Sequence, residues 1–169
     1  LGLIFYSLLR FIYGDKINED LIVQNKLLLT LFILIFFQIL YGAFVSGTDS
    51  GLLYNTWPLY NGNISPGNLI IQNSYLYSFF ENKEFILFFH RTFAFILLFV
   101  LMYLNFIIFN KCSKHETLIL LISFDLIFLL QGGIGVLMTF FNIPWYLALA
   151  HQGNSIILFL IVIYMYVLS

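Results

Sequence analysis

Residues 26–45 read KLLLTLFILIFFQILYGAFV, an apolar run whose only charge lies at its first position, Lys26. An α-helix rises about 1.5 Å per residue, so about 20 residues of this kind cross the roughly 30 Å hydrocarbon core of a bilayer. The run is continuous and rich in Leu, Ile and Phe, without the alternation and regular turns of a membrane-spanning β-barrel. We therefore predict that residues 26–45 form a transmembrane helix.

The whole chain has the composition of a membrane protein. Of its 169 residues, 62% are hydrophobic and 9% are charged, and the mean hydropathy is +0.98, far above the range of soluble domains. Further apolar runs of sufficient length lie at 85–109, 117–140 and 145–168. The sequence thus predicts an all-α integral membrane protein, a four-helix transmembrane bundle.

Polar segments divide the chain. The apolar stretch 1–13 is too short to cross a membrane alone and is expected to be the tail of a preceding transmembrane helix, followed by an inner loop at 14–25. Residues 26–169 are expected to form the membrane domain, with an outer segment at 46–84 and a tight turn at 142–144. The aromatic residues that suit an interfacial belt at the outer end are Trp57, Tyr60, Tyr75, Tyr77 and Trp145.

Basic residues predict the orientation of the bundle. Those that flank loops at one end are Arg10, Lys16, Lys26, Lys111 and Lys114. The opposite end has only Lys83 outside the helices. Because loops on the cytoplasmic or matrix side carry the excess of Lys and Arg, we expect the segment 46–84 to face the periplasm or the intermembrane space. The expected location is the bacterial inner membrane, with the mitochondrial inner membrane as the alternative.

Charge and cysteine content exclude some classes of function. The net charge of −1 provides no broad basic surface, so nucleic acid is not an expected partner. The single cysteine, Cys112, has no internal partner for a disulfide and is interpreted as an incidental loop residue.

Ionisable residues inside the predicted spans are the first functional candidates, because their burial in hydrocarbon is costly. They are His90, Arg91, Asp125 and His151. His90 lies six residues beyond Glu84 and His151 six beyond Trp145, which places both imidazoles about 9 Å inward from the outer end. Two neutral histidines at one level can supply both axial nitrogens of a b-type heme iron. The alternative is that each histidine makes an interhelical hydrogen bond.

A short internal repeat favours the heme hypothesis. Residues 38–42 and 131–135 share the pattern Q-x-x-x-G, and each is followed by an outer connection and a histidine-bearing helix. Two related hairpins in a pseudo-twofold arrangement would put one histidine on each side of a central site. The glycines of these motifs, which permit close helix packing or the approach of a flat macrocycle, are Gly42, Gly132, Gly133 and Gly135.

The other charged residues have competing interpretations. Arg91 suits a heme propionate, with a snorkelling arginine as the alternative. Asp125 either relays protons or, as we favour, bonds a neighbouring helix. His115 is expected to be solvated, and Asp49 or Glu81 could modulate protonation near the heme edge.

Four motifs together resemble the second half of the heme A synthase family. They are residues 42–59 (GAFVSGTDSGLLYNTWPL); Phe80-Glu81-Asn82 with Phe89-His90-Arg91; Leu130-Gln131 with Gly135; and Leu147-Ala148 with His151-Gln152. The resemblance implies an eight-helix protein of two pseudo-symmetric halves, of which this chain covers the end of helix 4 to helix 8. It also implies that the enzyme oxidises the methyl group of heme O to the formyl group of heme A, used by cytochrome c oxidase. His90 and His151 would then be the axial ligands of a prosthetic heme b.

The resemblance carries further implications for partners and activity. The substrate heme O and the catalytic residues belong to the other half, so this half alone is not expected to turn over. Heme O synthase, an electron donor or acceptor, the lipid bilayer and a homo-oligomer are the partners it suggests. The alternatives are a bis-histidine b-type membrane cytochrome that transfers electrons, and a heme-free membrane transporter or assembly factor. Transporters usually bind substrate near the midplane, whereas the ionisable pair here lies nearer the outer surface.

Overall fold

The computed structural model describes residues 2–13, 25–67, 69, 74–111 and 115–169. Its helices are α1 (Gly2–Tyr13), α2 (Asn25–Gly47), α3 (Tyr75–Glu81), α4 (Lys83–Lys111), α5 (His115–Phe140) and α6 (Trp145–Leu168). A 3₁₀ turn, Ser50–Leu52, follows α2. Most of the predicted inner loop 14–25, and Cys112 with it, lies outside the described residues.

The predicted membrane spans are confirmed. Helices α2, α4, α5 and α6 are long and apolar enough to cross a bilayer, and the predicted ends agree with the observed ones within two residues. The described residues form no strand, and Tyr60 and Asn63 form an isolated bridge. The chain is therefore an all-α integral membrane protein.

Local sequence explains where two of these helices begin. Asn82 precedes α4, and its Oδ1 accepts hydrogen bonds from the backbone N–H groups of Glu84 (2.9 Å) and Phe85 (3.3 Å), an N-cap for the new helix. Pro144 precedes α6, where its fixed φ suits the entry to a helix. The tight turn before it is confirmed, with positive φ values at Asn142 and Ile143. These caps fix the starting points of the helices that carry the two histidines.

Helix α2 contacts both α4 and α6, α5 packs on α6, and α1 lies against α6, whereas α4 and α5 make few contacts. We call the end of the bundle that carries residues 46–67 and the turn 142–144 the outer end, following the predicted orientation. The main cluster of buried side chains comes from the other half of each helix: Leu28, Leu31, Ile35, Leu97, Leu101, Leu104, Ile108, Leu121, Phe124, Leu158, Val162 and Met165. The bundle is thus packed most tightly in its inner half.

The outer segment folds back onto the outer end of α2 and α4. Tyr41 on α2 donates a hydrogen bond to the carbonyl of Phe79 (3.1 Å), which fixes α3, an element that the sequence did not predict. Gly51 lies beside the turn before α6, where an added Cβ would be 2.5 Å from Ile143 Cδ1. A side chain at this position would have to displace the Ile143 methyl group, whereas glycine leaves room for it.

The aromatic-belt prediction is wrong for one residue. Tyr75 and Trp145 are 72% and 77% exposed, as an interfacial position requires, but Tyr60 is only 4% exposed. Its ring lies beneath the Arg91 guanidinium, with 4.9 Å between the Arg91 Cζ atom and the ring centroid. Tyr60 is therefore a packing residue of the outer segment, because a cation–π contact holds its ring inside.

Candidate functional site

His90 lies on α4 with its ring against α2. A Cβ added to Gly42 would be 3.3 Å from His90 Cε1, so the imidazole approaches the α2 backbone closely enough that a larger residue would crowd it. Gln38, one turn earlier on α2, donates from Nε2 to the His90 carbonyl (3.1 Å), and the same nitrogen lies 3.3 Å from His90 Nδ1. The first Q-x-x-x-G motif therefore forms the surface on which His90 rests.

His151 lies on α6 and has the same relationship to α5. A Cβ added to Gly135 would be 3.1 Å from His151 Cε1, the same ring atom that faces Gly42 in His90. Gly132 and Gly133, by contrast, have no neighbour within 4 Å of such a Cβ. Of the four candidate glycines, only those at the ends of the two motifs face a histidine.

Gln131, the glutamine of the second motif, is hydrogen-bonded to Asn154, which was not among the candidates predicted from the sequence. Asn154 is buried on α6, one turn beyond His151, and its Nδ2 donates to Gln131 Oε1 (2.9 Å) and to the Ile127 carbonyl (3.0 Å). Gln38 and Gln131 thus each bind the helix that carries the neighbouring histidine. An asparagine inside an apolar span, one turn from His151, was the signal that could have identified Asn154.

The two imidazoles lie at similar depth. His90 is seven residues after the start of α4 and His151 six after the start of α6, which corresponds to about 10 Å and 9 Å along the helices. His151 Nδ1 is buried and has no hydrogen-bond partner within bonding geometry. In the described ranges, no group of three His, Cys, Asp or Glu residues comes together to hold a metal ion, whereas a heme iron needs only two protein ligands.

Arg91 joins three parts of the outer end. Its Nη1 donates to the Thr56 carbonyl (3.0 Å), and its Nη2 donates to the Tyr54 carbonyl (3.4 Å) and to Thr139 Oγ1 (3.5 Å). With the ring of Tyr60, these are all neutral partners, and the described chain shows no other. Because these partners are neutral, no neighbouring negative charge compensates the positive charge of Arg91 at the level of the histidines.

The outer segment around Arg91 is ordered by tyrosines. Tyr54 donates a hydrogen bond to Glu84 Oε1 (3.0 Å); burial raises the pKa of this tyrosine, and the bond to Glu84 raises it further. Burial also raises the pKa of Tyr60, although the charge of Arg91 partly offsets the effect. Both phenols therefore stay neutral and act as hydrogen-bonding or packing groups. A groove of about 320 Å³ lies beside them, and its lining includes Tyr60, Phe88, Arg91 and Phe95.

The remaining sequence candidates lie apart from the histidines. Asp125 is in the inner half and accepts a hydrogen bond at Oδ2 from Asn105 Nδ2 (2.9 Å), which favours the interhelical role over the relay. Asp49 has a left-handed φ of 56° next to the 3₁₀ turn, Glu81 ends α3, and His115 begins α5 with an exposed side chain, as expected. No described hydrogen bond joins Asp49 or Glu81 to either imidazole.

Comparison with known proteins gives consistent results. A family model described as cytochrome oxidase assembly protein matches residues 1–163. The chain is 37% identical to a heme A synthase from Rhizobium rhizogenes over 125 residues, which is 73% of this chain and 34% of that protein. It is 36% identical to the heme A synthase of Pelagibacter ubique over 157 residues, 93% of this chain and 45% of that protein. No solved structure matches.

The chain spans less than half the length of the curated relatives it matches. The matches nevertheless include the helices that carry both Q-x-x-x-G motifs and both histidines. The resemblance drawn from the four motifs is therefore confirmed: the chain belongs to the cytochrome oxidase assembly protein family, that of the heme A synthases.

Proposed function

We propose that this chain is the half of a heme A synthase that holds a prosthetic heme b between His90 and His151. The observation that carries the proposal is the paired contact of each imidazole with a motif glycine, Gly42 for His90 and Gly135 for His151. Two histidines held in the same way on two helices could each present a nitrogen to one heme iron.

The residues present fit a heme. Both axial donors are imidazoles, the usual ligands of a b-type heme in a membrane bundle. Gln38 Oε1 is buried without a hydrogen-bond partner, and His151 Nδ1 is buried with no partner in hydrogen-bonding geometry, although the imidazole interacts with the Gln131 backbone. The main cluster of buried side chains belongs to the inner half, whereas His90, His151, Gly42 and Gly135 are each only partly buried.

Each residue near the site has a distinct role in the proposal. His90 and His151 would each supply a nitrogen ligand to the iron, and Gln38, whose Nε2 lies 3.3 Å from His90 Nδ1, would restrain the orientation of that imidazole. Arg91 pairs with a propionate, because its guanidinium has more N–H donors than its present bonds use and no carboxylate partner. When bound, the heme supplies reversible one-electron transfer, with a potential set by the two imidazoles and the low-dielectric bundle.

The activity proposed for the whole protein is oxidation of the methyl group of heme O to the formyl group of heme A. Substrate heme O binds in the other half, where heme O synthase delivers it and an electron partner completes the reaction. We place the protein in a bacterial inner membrane, or a mitochondrial one, with the histidines toward the periplasmic or intermembrane-space side. The matched contacts of the two motifs support the pseudo-twofold relation of the hairpins.

Conversion of heme O to heme A by the full-length protein tests this proposal. Variants His90→Ala and His151→Ala should each lose the reaction, whereas His115→Ala, an exposed histidine at the inner end, should keep it. Heme spectra without heme A formation in the full-length wild type would favour the electron-transferring cytochrome instead. Activity that survives both substitutions would overturn the assignment of the histidines.

A further inference from the structure

Asp125 and Asn105 form a polar pair inside the membrane, away from the histidines. Asp125 lies ten residues into α5, about 15 Å from its inner end, and Asn105 lies fifteen residues after His90, about 22 Å along α4. Their neighbours on the same helices, including Leu101, Leu104 and Phe124, belong to the buried core. The pair is therefore surrounded by hydrocarbon or by apolar side chains.

The hydrogen bonding of this pair is incomplete. Asn105 Nδ2 donates to Asp125 Oδ2 at 2.9 Å. The second oxygen of each group, Asp125 Oδ1 and Asn105 Oδ1, is buried and has no hydrogen-bond partner. Asn105 is the partner that the described chain provides for the carboxyl group, and it is neutral.

An ionised carboxylate does not suit these surroundings. A charge buried in an apolar interior is strongly disfavoured unless an ion pair or several hydrogen bonds compensate it, and a single amide N–H does not. In the carboxylate form, Asp125 Oδ1 and Asn105 Oδ1 would also both be buried hydrogen-bond acceptors without a donor. A proton on the Asp125 carboxyl group would remove the buried charge and supply the missing hydrogen-bond donor.

We propose that Asp125 is an intramembrane proton-binding site that holds its proton through a cyclic acid–amide pair with Asn105. In this pair the Asp125 Oδ1–H donates to Asn105 Oδ1, while Asn105 Nδ2–H continues to donate to Asp125 Oδ2. One proton satisfies both unpartnered oxygens, and the pair becomes neutral.

The position of the pair gives it a structural consequence. Helix α4 carries His90 and α5 carries Gly135, yet these two helices otherwise make few contacts. The acid–amide pair therefore adds a polar link between two helices that make few other contacts. The inference does not depend on the proposed heme, since neither residue contacts a histidine.

Infrared spectroscopy of the purified wild-type chain at neutral pH, compared with Asp125→Asn, tests the proposal. We expect a carboxylic-acid carbonyl band that moves to lower wavenumber in D₂O and is lost in the variant. The other carboxylates described, such as Asp49 and Glu116, lie outside the bundle interior and are unchanged in the comparison. A wild-type spectrum with no acid band that depends on Asp125 would overturn the proposal.

Two further variants keep the test decisive if Asp125→Asn folds poorly. Asn105→Leu should retain the acid band but move it to higher wavenumber, because the carbonyl loses its hydrogen bond; disappearance of the band would contradict the pair. In thermal unfolding, Asp125→Asn should stay within about 2 °C of wild type, since two amides can form the same ring, whereas Asp125→Leu should lower the midpoint by about 4 °C or more. A loss with Asp125→Asn as large as that with Asp125→Leu would indicate a required carboxylate.

Discussion

Substitution of Gly135 by alanine should weaken heme binding by displacing His151. The new Cβ would lie 3.1 Å from His151 Cε1, inside ordinary van der Waals contact, so the ring must move by a few tenths of an ångström. In metal sites, changes to groups that position a ligand commonly reduce affinity by about 10- to 100-fold. We expect a loss in this range for Gly135→Ala and a smaller one for Gly42→Ala, where the corresponding distance to His90 is 3.3 Å.

The same helix offers a matched control. Gly133→Ala makes the identical chemical change two residues away, where an added Cβ meets nothing within 4 Å. In a helix interior, alanine is favoured over glycine by about 1 kcal/mol, so this variant should unfold at the same or a higher temperature and bind heme normally. The assay is titration of the detergent-purified chains with heme, followed by Soret absorbance. Equal affinities for Gly135→Ala and Gly133→Ala would refute the placement of His151 against α5.

Three other substitutions test separate contacts. Gln38→Leu removes the amide beside His90 and should reduce heme affinity by about 10-fold or more in the same titration, while helical circular dichroism stays unchanged; unaltered affinity would show that the amide does not orient the ring. Arg91→Lys loses the forked bonds to the outer segment, so limited proteolysis should cut that segment faster than in wild type, and an unchanged rate would count against this anchoring role. Phe124→Ala, which is 0% exposed in the inner core, should lower the free energy of unfolding by about 3–5 kcal/mol, whereas Phe99→Ala, 67% exposed, should change it little; equal losses would contradict the inner-half core.

The sequence predicted the helices because each one is a long apolar run between polar segments. The runs at 85–109 and 145–168 needed no tertiary information, since length and hydropathy alone determine whether a helix crosses a bilayer. The levels of His90 and His151 followed from counting along these helices at a fixed rise. The depth of the two histidines in a membrane stays a prediction.

The sequence could not predict which side of each helix faces its neighbours. Helices that are apolar all round carry little periodic signal, so Gly132, Gly133 and Gly135 were equivalent candidates until the structure placed only Gly135 beside a histidine. The same limit hid the bond from Asn154 to Gln131, and it hid the partner of Asp125. Rotation about the helix axis depends on contacts between helices, and a single sequence does not record those contacts.

The outer segment was the least predictable part for a different reason. Its fold depends on long-range polar contacts, such as Arg91 with the carbonyls of Tyr54 and Thr56, rather than on local periodicity. Tyr60 was therefore assigned to the interface from its residue type, although the cation–π contact with Arg91 keeps it inside. Residue type alone does not distinguish a tyrosine at a membrane interface from one beneath a guanidinium.

The most direct test of the heme site is an absorption spectrum of the detergent-purified chain, oxidised and then reduced with dithionite, beside the double variant His90→Ala and His151→Ala. We predict a low-spin b-type spectrum in the wild type after reconstitution with heme, and its loss in the double variant. A wild-type chain that takes up no heme, or a double variant that keeps the low-spin spectrum, would contradict bis-histidine ligation between α4 and α6.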